Sequence, residues 1–552
     1  MNLALRRTVS FIAIILGFFI ALLDTTIVNV ALPEMTRYFG GSVGQISWVV
    51  NGYNLAFAVF IMTAARLADQ FGRKKVFLAG VLLFTLASLF AGLAPNAGML
   101  IAMRVVQGLA GAIIVPVTVP MAMNLFPKEM HGMIIGIWGA ISGLAAASGP
   151  ALGGILTEKL NWQWIFYVNV PLGIVCMLLT LVFIKESYDP TSGRRIDYAG
   201  TLAITAAMFC LTYGLIQVNE YGWDSLQIVL LLGGGGLLLA LFFVAEWKGK
   251  EPMLPLSMLR IRAFNGAAIT MLIVGAGLMM IFFLTSFFLT RMMEMSELRA
   301  GLLLSVVALG SMLSSSVVGP LSNRFGSRLF AVAGLTMMGA AAYWLGSLEP
   351  QSTEMDVVAR LALAGFGMGM TIVPVMASSV RHVPEEKVGI SSGVVNMTKA
   401  LGSALGVALI VTMLQSNMTE ELEGARMLAA DTLRADTVLD DALKEQLSEK
   451  LAAPAPAANM ASPKLSAETA LAGIEEQAAR AAAELPPEQR KVFAEHLDGQ
   501  MQEVKRLLGQ VEDDYRGAAT RAFSRTFVIS CWLLLLGIPF AWISDKRRAR
   551  SR

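Results

Sequence analysis

The stretch "GIWGAISGLAAASGPALGG" at residues 136–154 decides the fold, because "GISSGVVNMTKALGSALGV" at 389–407 repeats its outline. The matching glycines stand 253 residues apart, in the pairs Gly136/Gly389, Gly149/Gly402 and Gly153/Gly406. Two further echoes have nearly the same spacing: "LADQFGRK" at 67–74 with "LSNRFGSR" at 321–328, and "AGAIIVPV" at 110–117 with "MGMTIVPV" at 368–375. The chain therefore contains two related halves.

The composition places both halves in a membrane. Of the 552 residues, 55% are hydrophobic and 15% charged, against about 25% charged in soluble domains. Fourteen apolar runs are long enough to cross a bilayer, and all are predicted to be helices because lipid offers backbone groups no partners. The runs are 8–32, 44–65, 76–95, 98–123, 132–157, 163–184, 198–218, 226–246, 263–290, 298–320, 328–347, 355–378, 388–414 and 524–544.

The loop charges predict the direction of the spans. Lysine and arginine are concentrated on one side, which includes 73–75, 194–195 and the tail "DKRRARSR", so that side and both termini are expected in the cytoplasm. The echoes point the same way across the membrane, with a shift of eight spans. This indicates a parallel repeat of 6+2+6 helices, the organisation of major facilitator transporters. The predicted units are 1–190, 191–255, 256–414 with 524–552, and the segment 415–523.

The segment 415–523 lies between the last two spans and holds 20 Asp and Glu against 12 Lys and Arg. Leucines recur in it at roughly helical spacing, and "AAPAPAAN" at 452–459 and "LPP" at 485–487 interrupt the pattern. We predict a helical hairpin that extends these two spans outward, with a first arm over about 415–451. An acidic spacer lacking full order is the alternative.

Three charges lie inside predicted spans. Asp24, in "LLDTTIVNVAL" at 22–32, and Arg104 are both expected in the outer half of the bilayer, within about two helical turns of each other. A mid-span Asp is retained only where it faces protein or water, so a facing pair with a functional role is predicted. Lys399 is central in its span, and three interpretations remain open: binding an anionic substrate group, a counter-charge for Asp24, or a structural pair.

Several motifs resemble those of the fourteen-span drug:proton antiporters of the major facilitator superfamily, the EmrB/QacA type. They are "LDTTIVNVALP" at 23–33, "ARLADQFGRKK" at 65–75 (with Ala65 where the family usually has Gly), "RVVQGLAGAIIVP" at 104–116, "SGPALGG" at 148–154 and "NWQWIFYVNVPLG" at 161–173. The resemblance implies an all-α major facilitator fold and assigns roles to residues. By the resemblance, proton coupling falls to Asp24 and Arg104, and gating to Asp69 and Arg73. We also predict Gly72 at the gate, a substrate cavity lined by Asn29, Gln107 and Lys399, and a conformational motif formed by Gly149, Pro150, Gly153 and Gly154.

The predicted function is proton-coupled efflux of hydrophobic or amphipathic compounds across a bacterial inner membrane, by alternating access. A narrow-specificity exporter of a lipid, fatty acid or metabolite is the first alternative, and a non-transporting scaffold that works through its outer hairpin is the second. The sequence contains no Walker A motif, metal-ligand set or nucleophile constellation, so we expect no enzymatic activity, no cofactor, no metal and no nucleic-acid partner. For pumps of double-membraned bacteria the resemblance also implies a periplasmic adaptor and an outer-membrane channel as partners.

Overall fold

The computed structural model describes residues 3–40, 43–127, 130–188, 197–248, 254, 256–384, 387–436, 438–440, 444 and 487–545. Within a helix, some side chains are also outside the description, among them those of Asn29 and Pro150. The predictions for those two side chains, and for most of the hairpin between 441 and 486, therefore concern parts of the chain that are not described.

The described residues fold into α-helices. They are α1 Leu3–Phe39, α2 Val43–Phe71, α3 Arg73–Gly92, α4 Ala97–Met123, α5 His131–Lys159, α6 Trp164–Tyr167, α7 Asn169–Phe183, α8 Tyr198–Tyr221, α9 Leu226–Lys248, α10 Arg262–Phe287, α11 Glu297–Phe325, α12 Ser327–Leu345, α13 Glu354–Arg381, α14 Val388–Ala435, α15 Pro487–Leu535 and α16 Ile538–Ile543. A single π-helical turn, Phe288–Met292, ends α10.

Fourteen membrane crossings are confirmed by length and composition among the described residues. The sixth crossing is built from α6 and α7, and the fourteenth from the end of α15 together with α16. Because the crossings are even in number, the start of α1 at Leu3 and the end of α16 at Ile543 lie at the same end of the bundle, which we call the terminal face. The opposite end, from which α14 and α15 project, is the hairpin face.

The glycine echoes make the same contact in both halves. A Cβ added at Gly149 would lie 2.7 Å from Thr26 Cβ of α1, and one at Gly402 would lie 2.9 Å from Leu272 Cα of α10. One turn later, Gly153 meets α1 and Gly406 meets α10 in the same way. The missing side chains let the fifth crossing approach the first, and the thirteenth approach the ninth, at backbone distance.

The two halves meet along two seams, α5 against α11 and α2 against α14. In the first, a Cβ at Gly139 would lie 2.9 Å from Ser315 Cβ; in the second, a Cβ at Gly393 would lie 3.0 Å from Ala65 Cβ. These contacts belong to the parts of the helices nearer the terminal face. The seam glycines of α5 are thus different residues from Gly149 and Gly153, which pack inside the first half.

The hairpin is an extension of the last two long crossings. Helix α14 has 48 residues and α15 has 49, against about 20 needed to cross the bilayer. The two arms pack together through buried apolar side chains and through ion pairs such as Arg521 to Glu421 at 2.8 Å. Helix α14 ends at Ala435, so the predicted first arm, about 415–451, is not one continuous helix, and residues 441–443 and 445–451 of it lie outside the described residues. Asp436 adopts an extended conformation there, and the Leu439 and Val438 backbone N–H groups that donate to it lower its pKa.

Candidate functional site

Asp24 of α1 lies at the centre of a polar cluster inside the first half. Its carboxylate pairs with the guanidinium of Arg104 from α4. The side-chain amides of Asn169 (3.2 Å) and Gln107 (3.4 Å) also donate to it. The predicted facing pair of Asp24 and Arg104 is therefore present in the structure.

Arg104 is held by more than the carboxylate. Its Nε donates to the backbone carbonyl of Val49 in α2 at 2.8 Å, and one terminal nitrogen donates to Gln107 Oε1 at 3.0 Å. The guanidinium stacks over the ring of Tyr53, 4.5 Å from its centroid. A backbone without a side chain at Gly108 allows that close approach, because a Cβ there would lie 2.9 Å from the Tyr53 Cα.

The cluster ties five helices of the first half together, α1, α2, α3, α4 and, through Asn169, α7. Tyr53 donates its hydroxyl to the Ala21 carbonyl of α1 at 3.0 Å, and Gln107 donates to Ser88 of α3 at 2.7 Å. Asp24 and Gln107 are both 0% exposed and Arg104 is 1% exposed. Gln107 was predicted to line the substrate cavity; in this conformation it is sealed within the cluster instead.

In such an arrangement Asp24 can hold either a proton or an ion pair with Arg104. A carboxylate removed from water is stable only while its counter-charge and hydrogen-bond donors stay in place. Protonation of Asp24 would cancel its charge and leave the guanidinium without its anionic partner. Loss of the Asp24 charge and loss of the anionic partner of Arg104 would each alter the packing of the helices that the cluster joins.

The structure adds three members to the predicted pair: Asn169, Ser88 and Tyr53. Asn169 stands in "VNVPLG" as a lone polar residue of an apolar run, which is a usable signal for a buried partner. Ser88 and Tyr53 carry no such signal, since small hydroxyls and tyrosines are common in membrane helices.

The glycines of α5 that are predicted to serve conformational change lie against the same part of α1. Gly149 contacts Thr26 and Gly153 contacts Ile27, only two and three residues after Asp24. The Thr26 hydroxyl also lies 3.4 Å from the Ala145 carbonyl of α5. Gly154 is buried beside them.

The predicted gating residues form a second cluster, at the terminal face. Asp69 and Arg73, 1% and 4% exposed, pair at 2.9 Å between Oδ1 and Nε. The Asp69 carboxylate lies against Gly389 in the first turn of α14, where a Cβ would be 2.8 Å from Oδ1. Gly72 provides the left-handed turn between α2 and α3, with φ of 108°.

Glu186, which follows the sixth crossing, binds the first turn of α3 with its carboxylate. Its carboxylate accepts from the backbone N–H of Lys74 at 2.8 Å and of Lys75 at 3.2 Å. The second half repeats the device: Asp545, after the fourteenth crossing, accepts from the backbone N–H of Ser327 at 2.6 Å, at the start of α12. Each carboxylate is stabilised by a helix N-terminus.

Lys399, in α14, lies outside both clusters. It is partly buried, and it does not approach Asp24, whose charge is taken by Arg104. Among the described residues, no group of three or more His, Cys, Asp or Glu side chains could hold a metal ion.

The comparisons with known proteins agree with this architecture. Residues 14–407 match the family model of the Major Facilitator Superfamily. The multidrug resistance protein Stp of Mycobacterium tuberculosis is 34% identical over 76% of this chain and 78% of its own length. The puromycin resistance protein pur8 of Streptomyces alboniger is 32% identical over 74% and 82%.

Two further matches are more distant. The tetracenomycin C resistance and export protein of Streptomyces glaucescens is 29% identical over 74% of this chain and 76% of its own. The crystal structure of the human organic anion transporter MFSD10 (TETRAN) matches with a TM-score of 0.54 at 14% identity, covering 74% of this chain and 93% of that one, which supports the fold alone. The chain is a multi-pass membrane transporter that belongs to the major facilitator superfamily, and the three bacterial relatives described above are named as resistance or export proteins.

Proposed function

We propose that this protein exports hydrophobic or amphipathic compounds across the bacterial inner membrane in exchange for protons. The observation that carries the proposal is Asp24, a fully buried carboxylate within a membrane span, held by Arg104 and two amides. The resistance and export functions in the names of the relatives supply the class of cargo. Protons entering from the outside bind Asp24, and their release to the cytoplasm restores the ion pair.

The proton acts through the contacts that the charged pair maintains. With Asp24 neutral, Arg104 keeps Val49 O and Gln107 as acceptors but loses its counter-ion. Helix α1 is then held less firmly against α4, and the fifth crossing, which packs on α1 at Gly149, moves with it. Since α5 also forms a seam with the second half, the protonation state biases the relative position of the halves.

The terminal face is the cytoplasmic gate in this proposal, as the charge distribution of the loops favours. Asp69 stabilises the closed form because its carboxylate lies at the positive end of α14. Opening toward the cytoplasm separates α2 from α14 and so removes that interaction. Arg73 keeps the carboxylate oriented for the return step.

The test is Asp24→Asn in proteoliposomes. The variant keeps the shape of the side chain but cannot cycle between charged and neutral forms, so substrate-driven proton movement should stop. Lys505→Gln, an exposed change in the hairpin, should transport and move protons as the unaltered protein does. Proton release at the normal rate by Asp24→Asn would overturn the coupling assignment.

A narrow-specificity exporter remains the second candidate, because the buried pair of Asp24 and Arg104 could couple protons to the export of many drugs or of one lipid or metabolite. A drug-susceptibility panel on a deletion strain separates the two. Sensitivity to several unrelated compounds supports broad export, whereas accumulation of one cellular lipid or metabolite supports the narrow alternative.

The outer hairpin fits a further partner outside the membrane. About 25 residues of α14 extend past the bilayer, roughly 37 Å, and they expose Met427 (61%) and Leu428 (55%). A periplasmic adaptor that leads to an outer-membrane channel is the partner we propose. Co-purification with the intact protein, lost when the hairpin is shortened, is the test.

A further inference from the structure

Lys399 lies deep in the membrane. It is eleven residues from the start of α14 at Val388, which places its Cα about 17 Å along the helix, near the middle of a hydrocarbon core about 30 Å thick. Its side chain is too far from both faces for its ammonium to reach bulk water at either end. A charge at this depth is retained where it meets protein groups, a water-filled space or a ligand.

Among the side chains that the structure describes, the ammonium of Lys399 has no hydrogen bond and no ion pair, and no carboxylate lies close enough to act on its charge. Asp24 is paired with Arg104 inside the other half. Of the three interpretations left open by the sequence, the counter-charge and the structural pair therefore lack a partner in this conformation.

The helix directs Lys399 toward the space between the halves. At about 100° per residue, Gly393, which contacts α2, and Gly402, which contacts α10, are on opposite faces of α14. A third face packs on α8, and Trp223, in the turn after α8, donates to Thr412 of that face at 2.8 Å. The remaining face, between α2 and α10, carries Lys399, whose backbone carbonyl lies against Gly275 of α10.

Between residues 392 and 403 this face is polar, and Ile410 continues it as a buried apolar residue. Ser392, Asn396, Lys399 and Ser403 recur on it at helical spacing. Asn396 donates its amide to the Ser392 carbonyl at 2.9 Å, which leaves its own carbonyl oxygen as an acceptor. Lys399 is partly exposed there, whereas its neighbour Val395 is 1% exposed.

We propose that Lys399 binds the acidic group of the cargo, and that the transporter prefers amphipathic organic anions: an apolar body with a carboxylate, sulfonate or phosphate. An ammonium ion provides three donors and a full charge, and an anion in a low-dielectric space makes short, charge-assisted hydrogen bonds with it. The acceptor of Asn396 suits a hydroxyl or amide beside the acid. This inference rests on the proposed export function and narrows its substrate class.

The experiment compares three probes that share one ring system and differ in charge: 9-anthracenecarboxylate, its methyl ester and 9-(aminomethyl)anthracene. Binding to the purified full chain is measured by fluorescence anisotropy. We expect the unaltered protein to bind the carboxylate at least tenfold more tightly than the ester or the amine. Lys399→Gln should remove that preference by weakening the carboxylate alone, and Lys399→Arg should keep it.

Lys505→Gln is the matched control, since it removes an exposed lysine of the hairpin. Three results would overturn the inference: no preference for the carboxylate in the unaltered protein, an unchanged preference in Lys399→Gln, or an equal loss of carboxylate and ester binding in that variant. The last result would mean that Lys399 supports the fold and not the ligand.

The binding assay needs no proton coupling, so the two proposals fail separately. Asp24→Asn should bind the carboxylate normally while losing proton-coupled transport. Normal coupling in Asp24→Asn with a lost preference in Lys399→Gln refutes the coupling assignment and keeps the anion site. The reverse pattern refutes the anion site and keeps the export function.

Discussion

Removing the guanidinium from the buried cluster should strongly destabilise the protein. In Arg104→Gln the Asp24 carboxylate, 0% exposed, loses its counter-charge, and breaking a buried ion pair from one side costs about 3–5 kcal/mol. Two amide donors remain, Asn169 at 3.2 Å and Gln107 at 3.4 Å, so we expect the lower end, about 3 kcal/mol. Equilibrium unfolding in mixed micelles, followed by circular dichroism during titration with sodium dodecyl sulfate, measures the free energy.

The structure offers a matched control for that experiment. Lys399→Gln makes the same kind of change at a cation that has no partner among the described residues, so, unlike Arg104→Gln, it should not lower the free energy of unfolding. In a double-mutant cycle with Asp24→Asn, Arg104→Gln should show a coupling of about 2 kcal/mol. Additive effects, or equal costs for the Arg104 and Lys399 variants, would refute the assignment of a stabilising pair.

Two further predictions follow from the helix contacts. Gly149→Leu should abolish vesicle transport and lower the melting temperature, because its side chain would clash with the backbone of α1. Gly233→Leu is the control. A Cβ at Gly233 has no heavy atom within 4 Å, so this variant should match the unaltered protein in both measurements. The second change replaces 430–512 with a short Gly/Ser linker and keeps the ion pairs at the base of the hairpin. It should leave transport in vesicles unchanged but weaken resistance in cells. Undiminished resistance in cells would exclude a docking role for the hairpin.

The sequence predicts the crossings and the repeat well, because the crossings depend on local composition and the repeat on the spacing of matching residues. The pairing of Asp24 with Arg104 follows from depth alone, since two charges at one level of a six-helix unit have few other partners. Which helix a glycine faces is a different matter. Gly149 reads as part of a small-residue stripe, and only the fold shows that it meets α1 and that the seam uses Gly136 and Gly139 instead.

The remaining misses have the same cause. Gln107 stands one turn from Arg104, and hydropathy does not distinguish a residue that lines a cavity from one sealed in a cluster. The end of α14 at Ala435 depends on the conformation of Asp436, and the leucine spacing of the hairpin continues past that point. Contacts between distant segments decide both features.

The two halves share a scaffold but not their charges. At the spacing of 253 residues, Lys399 corresponds to Ala146, and at the spacing of 254 that relates 67–74 to 321–328, the second half has Asn323 where the first has Asp69. In our proposal protons therefore act on the first half and the anion on the second. Helix α2 connects them, since Arg104 donates to Val49 at one end and Ala65 contacts α14 at the other.

Locking α2 to α14 tests that connection. Gly393→Cys and Ala65→Cys, in a background without the native cysteines, place the two Cβ atoms about 3.0 Å apart, slightly closer than the usual separation in disulfides but within reach of a small helix shift. Oxidation should hold the terminal face closed, so transport should stop and recover on reduction, while 9-anthracenecarboxylate still binds at Lys399. Each single cysteine variant, oxidised in the same way, should transport normally. Full transport by the cross-linked protein would mean that α2 and α14 do not separate during the cycle, and that the halves are coupled by another route.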